Sequence, residues 1–214
     1  MNYEEIENKT KKENTNQVFL QGVVETEPQF NHTSFDEDFY TFNLKVARLS
    51  GQYDILPINI SSHLTGFADL KIGKRIALNG QFRSHNMLDE QNKSRLILCV
   101  FCKELCELDE NANPNVIELC GYICKDPIFR VTPFNRQICD LLLAVNRQYG
   151  KSDYIPCICW GRNARFAGKL EVGEHVAIWG RIQSREYQKR LENDEVISRV
   201  AYEVSVSKME CLES

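Results

Sequence analysis

The 214 residues are 43% hydrophobic and 26% charged, ordinary proportions for a globular chain, and no apolar run reaches the roughly 18–20 residues of a membrane span. A formal net charge of −4 excludes a protein that coats a duplex by charge alone. The charge is unevenly spread: residues 1–112 hold 12 Lys and Arg against 17 Asp and Glu, whereas residues 115–190 hold 12 against 7, eight of the twelve being arginine. A local basic surface is expected inside an acidic chain.

Residues 1–16 are polar and charged, without the apolar stretch of a secretory leader, and are expected to form a disordered arm. The rest repeats itself. At an offset of 99, Val18, Leu20, Gly22, Val24, Pro28 and Phe30 match Ile117, Leu119, Gly121, Ile123, Pro127 and Phe129. At the same offset Phe42, Leu44, Val46, Arg48, Gly51, Asp54 and Pro57 match Leu141, Leu143, Val145, Arg147, Gly150, Asp153 and Pro156. After one inserted residue, Gly73, Ile76, Leu78, Gly80 and Ser84 match Gly173, Val176, Ile178, Gly180 and Ser184. A unit of this length is a duplicated domain, too large for a solenoid repeat.

Alternation and turn residues predict five strands per copy, at 17–30, 39–48, 53–62, 73–84 and 94–106, then at 116–130, 138–148, 154–160, 173–187 and 196–207. One short helix is expected between the third and fourth strands, near Ser62–Leu70 and Arg162–Leu170. That order within about 95 residues predicts an all-β chain of two tandem OB-folds, five-stranded Greek-key barrels with one short helix each. The first barrel is expected over 17–109 and the second over 115–210, with 110–114 as linker. Polar hairpins at His85–Lys93 and Arg185–Glu195 are expected to be binding arms.

Parity then sorts the side chains. A period of two puts Tyr154, Ile158 and Trp160 on one face of their strand and Ile155, Cys157 and Cys159 on the other; the small apolar set suits a core. On the following strand Val176, Ile178 and Ile182 point inward, leaving Ala177, Trp179 and Arg181 outside. Aromatic rings beside arginine on an outer strand face make a stacking platform for unpaired bases, each stack contributing roughly 1–3 kcal/mol.

Other chemistry finds little support. Nine cysteines, an odd number scattered over strands, fit small buried thiols in a reducing cytoplasm. Cys99-x2-Cys102 has no second pair at zinc-ligand spacing, so no metal and no cofactor are expected. His32, His63, His85 and His175 lie in no nucleophile or ligand motif, and there is no phosphate-binding glycine loop, so no enzyme is expected.

The second half resembles the bacterial single-stranded DNA-binding protein family. The resemblance rests on Leu119-Cys120-Gly121-Tyr122-Ile123, Asp126-Pro127-Ile128-Phe129-Arg130, Leu143-Ala144-Val145, Trp160-Gly161, and Gly173 with Ile178, Gly180, Ile182 and Arg185. It implies that bases stack on Tyr149, Tyr154, Trp160 and Tyr187. Phosphates would then be held by Arg130, Arg147, Arg162, Arg165, Arg181, Arg185 and Lys189. In the first half the equivalent ring positions are Ser50, Ile55, Ser61 and Met87, so that copy is expected to be mainly architectural. The resemblance further implies assembly into four barrels, here a homodimer, with replication or recombination proteins as further partners. Lys208–Ser214 lacks the family's linker and acidic tip, so recruitment by that route is not expected. A protein-interaction module and a single-stranded RNA binder stay open as alternatives.

Overall fold

The computed structural model describes residues 15–88, 92, 94–147, 150–190, 194 and 196–212, and of Lys189 the backbone alone. The first copy contains β1 (Asn16–Val24), β2 (Gln29–Ser34), β3 (Glu37–Ala47), β4 (Tyr53–Ser61), β5 (Arg75–Leu88) and β6 (Ser94–Cys106). The second contains β7 (Asn115–Ile123), β8 (Ile128–Val131), β9 (Gln137–Asn146), β10 (Ser152–Trp160), β11 (His175–Arg190) and β12 (Val196–Cys211).

In each copy five strands close a ring. Strand β1 pairs with β3 and β5, β3 with β4, β4 with β6, and β6 with β5. Strands β7, β9, β10, β12 and β11 repeat the circuit. The closing contacts β4–β6 and β10–β12 are the parallel ones. This connectivity is the OB-fold, twice.

Three expectations need correction. The long first strand of each copy is two strands, because Pro28 and Pro127, with fixed φ and no N–H, stand where the chain leaves the barrel to extend the next hairpin. The helix expected at Ser62–Leu70 is only a 3₁₀ turn, Phe67–Asp69, preceded by Gly66 at φ 88. The second copy, with two alanines and two arginines over the same stretch, forms the helix α1 (Gly161–Ala167). Finally, β1 begins at Asn16, within the segment expected as an arm: its carboxamide bonds both the N–H and the C=O of Phe82. Residues 1–14 lie outside the described residues.

Inward residues fill each barrel, with Leu20, Phe42, Leu44, Ile58, Leu78 and Phe82 in the first and Leu119, Leu143, Ile155, Ile178, Ile182 and Val204 in the second. Glycines occupy the tightest crossings. A Cβ on Gly80 or Gly180 would lie 2.3 or 2.2 Å from the carbonyl oxygen of Phe101 or Ser205, where bulges bend β5 and β11. The repeat retains glycine at both positions for that reason.

The barrels join edge to edge. Strands β1 and β7 run antiparallel from Asn16↔Leu119 to Leu20↔Asn115, making one sheet of twelve strands. Asn115 repeats the Asn16 clamp by bonding the backbone N–H and C=O of Ile182.

Candidate nucleic-acid interface

Strand alternation in β10 buries Ile155, Cys157 and Cys159 and leaves Tyr154 43% and Trp160 39% exposed. Ile158, expected between them on the outer face, is only 6% exposed. The ladder brings further groups onto this face. Trp160 stands opposite Ile138, which stands opposite Arg130 on β8. Tyr187, 37% exposed, lies in regular strand opposite Arg199, and the Arg185 guanidinium is 5.8 Å from its ring centre. The hairpin expected at Arg185–Glu195 is a strand ladder through Arg190 and from Val196.

Carboxylates sit among these cations. Asp140 accepts a bond of 2.8 Å from Arg130 Nε, and this pairing raises the Arg130 pKa. Glu203 accepts 2.7 Å from Gln183 and lies 3.7 Å from Arg185 Nε. Arg130 and Arg185 stay exposed. Arg162 and Arg165 are exposed on α1, directly after Trp160. Tyr149 lies outside the described residues, as does the side chain of Lys189.

Arg147 and Arg181, expected to hold phosphates, lie at the junction of the two barrels. Both are committed to a buried polar lattice between the barrels. Asp54 and Asp153 are both 0% exposed. Asp153 receives both arms of Arg147, Arg83 from the other barrel at 3.2 Å, and the backbone N–H of Ser84 at 2.5 Å. Asp54 receives both arms of Arg48, Arg181 from the other barrel at 3.3 Å, and the Ser184 N–H at 2.7 Å. Burial lowers the pKa of Arg83 and Arg181, and the facing carboxylates offset that cost. No buried side-chain N or O among the described residues lacks a partner.

The lattice also steers the platform. The N–H of Tyr154 donates to Ser84 Oγ of the first barrel at 2.7 Å, one residue beyond Asp153. Sequence reading missed this coupling, and missed Arg199, Asp140 and Glu203; outward parity along β9 and β12 is the signal that finds the last three. Trp179, near the start of β11, is capped by Lys208 with its Nζ 4.5 Å from the ring centre.

Two closed five-stranded barrels in one sheet define a tandem OB-fold protein. The comparisons agree. The model of the single-strand binding protein family matches residues 114–212, the second half of the chain. Single-stranded DNA-binding protein 1 of Lactococcus lactis subsp. lactis is 35% identical over 83 residues, 36% of this chain and 55% of that one. Single-stranded DNA-binding protein A of Bacillus subtilis is 34% identical over 83 residues, 36% of this chain and 48% of that one. The chain spans about half the length of these curated relatives. The crystal structure of the wild-type single-stranded DNA binding protein from Thermus aquaticus superposes with a TM-score of 0.72 at 22% identity, covering 93% of both chains, which shows the shared fold.

Proposed function

We propose that this chain binds single-stranded DNA without sequence specificity and without catalysis, in the cytoplasm, protecting unpaired strands during replication, recombination or repair. The observation that carries the reading is the outer face of the second barrel, where Tyr154, Trp160 and Tyr187 keep free ring faces beside Arg130 and Arg185. Bases stack on the rings, Tyr149 supplying a fourth; phosphates pair with Arg130, Arg162, Arg165, Arg185 and Lys189. Every base has a π face, so stacking is tolerant of sequence. The curated relatives are named as single-stranded DNA-binding proteins, which supports DNA over RNA and over a purely protein-binding module. A homodimer would assemble four barrels, with replication or recombination proteins as further partners.

Titration of an oligothymidine at low salt tests this. The chain has two tryptophans, and stacking on Trp160 should quench part of their emission, with affinity falling as salt releases bound counterions. No quenching and no retention of the oligonucleotide at micromolar protein would refute it.

A further inference from the structure

We infer that the two outer edges of the twelve-stranded sheet are complementary, so that β2 of one copy pairs antiparallel with β8 of the next and chains join head to tail. The inference stands apart from the DNA reading above, and its partner is a second copy of this chain.

Both barrels close without β2 and β8, which end the sheet and pair only with β3 and β9 among the described residues. An edge strand offers a row of N–H and C=O groups to another strand, and proteins commonly blunt it with lysine or proline. Neither residue occurs in Gln29–Ser34 or Ile128–Val131. Instead Phe30 on β2 and Ile128, Phe129 and Val131 on β8 are exposed apolar side chains. A bulge at Asn31 blunts part of β2 and leaves His32–Ser34 regular. On β8 the open groups can be assigned. The Thr132 N–H donates to the Arg136 C=O at 2.8 Å, so alternation along the ladder turns the N–H and C=O of Phe129 and Val131 to the open side.

The hairpin tips carry a second sign. Phe35 and Phe134 hold the same place in the repeat, at offset 99, and both are exposed. Phe35 sits at φ 50, a left-handed conformation that an aromatic residue disfavours. Strained, unpacked rings at both tips point to a contact outside their own chain.

Charge selects that contact. Residues 25–38, around β2, hold five carboxylates and no Lys or Arg; residues 124–137, around β8, hold Lys125, Arg130 and Arg136 against Asp126. Arg130 is engaged by Asp140, but Lys125 and Arg136 are exposed and make no ion pair among the described residues. Pairing β2 with β2, or β8 with β8, would oppose like charges; the mixed edge joins unlike ones. Direction follows from the ladders. Within the sheet β2 runs with β1, β8 runs with β7, and β1 and β7 are antiparallel, so a continuous sheet sets β2 antiparallel to the next copy's β8. Arg136 then lies beside Glu27, and Asp36 beside Lys125. The two surfaces differ, so the contact is heterologous and leaves an open edge at each end. A few paired residues bury little area, which makes it weak.

The test is cross-linking with sedimentation. Phe35→p-benzoylphenylalanine, in a mixture of isotopically heavy and light chains, should cross-link between chains onto residues 125–130. Sedimentation velocity at low salt, up to about 0.1 mM protein, should show species that grow past a closed dimer. Val131→Pro removes an outward N–H and no β8–β9 bond, and Val131→Lys leaves the backbone intact; both should weaken association at least fivefold. Glu27→Lys and Arg136→Glu should each weaken it about fivefold, and together restore it to within about twofold of wild type. Cross-links that join two copies of residues 29–38, or that stay within one chain, would overturn the inference. So would one closed species at every concentration, or association that neither Val131 variant changes.

Discussion

At the scale of single residues, arginine does two jobs that sequence cannot separate. Arg130 and Arg185 lie exposed beside the rings, whereas Arg147 and Arg181 are spent on Asp153 and Asp54. The copies even exchange a pair: Gln81 and Arg83 in the first become Arg181 and Gln183 in the second, and each arginine bonds its glutamine while reaching the aspartate of the other barrel. Asp153→Ala should therefore destabilise the fold by about 3–5 kcal/mol in urea unfolding, because it leaves two guanidinium groups half-buried without their counter-charge. Trp160→Ala with Tyr187→Ala should do the reverse, weakening oligothymidine at least tenfold in fluorescence or filter binding while the unfolding midpoint barely moves.

At the scale of elements, each bend has an identifiable cause. Gly180→Ala should cost about 1–3 kcal/mol by thermal or urea unfolding, since the new methyl meets the Ser205 carbonyl at a bulge that the ladder cannot release. The β2–β3 hairpin turns through Phe35 and Asp36 at φ 50 and 60, and Phe35 is fully exposed. A bulky side chain gains nothing there and strains the left-handed backbone. Phe35→Asn should stabilise the chain by about 1 kcal/mol in the same assay. The splitting of each first strand at proline follows from local chemistry in the same way, as does the helix that forms after Trp160 but not after Ser61.

At the scale of the whole molecule, two barrels behave as one body because a strand pair and two buried carboxylate lattices cross between them. Their cores also hold thiols. Burial pushes Cys102 and Cys159 up to about 12 and Cys99 up to about 11, from 9.0. A raised pKa means that the folded state keeps protons the unfolded chain has released. Stability from these groups is complete below pH 9 and is lost as pH rises from 9 toward 11 and 12. Urea midpoints should fall across that window, and fall less in a Cys102→Ala, Cys159→Ala variant compared with its own value at pH 8.

The duplication, the barrels and the outward placement of Tyr154 and Trp160 were legible in residue order, because period, glycine and proline act locally; the burial of Ala177 and Ile158, expected outside, was not. Residue order could not assign Arg147 and Arg181, since Arg181 reaches Asp54 127 positions away and Arg147 reaches the Ser84 carbonyl 63 positions away, each on the other barrel. Nor could it find the rings of the first copy. An offset compares a residue with its equivalent on the same strand, and there Ser61 answers Trp160. Whether a ring has moved to the neighbouring strand is decided by which residues the ladder sets side by side: His32 meets Phe39 across the β2–β3 hairpin, and Phe101 joins them only when β6 closes on β4.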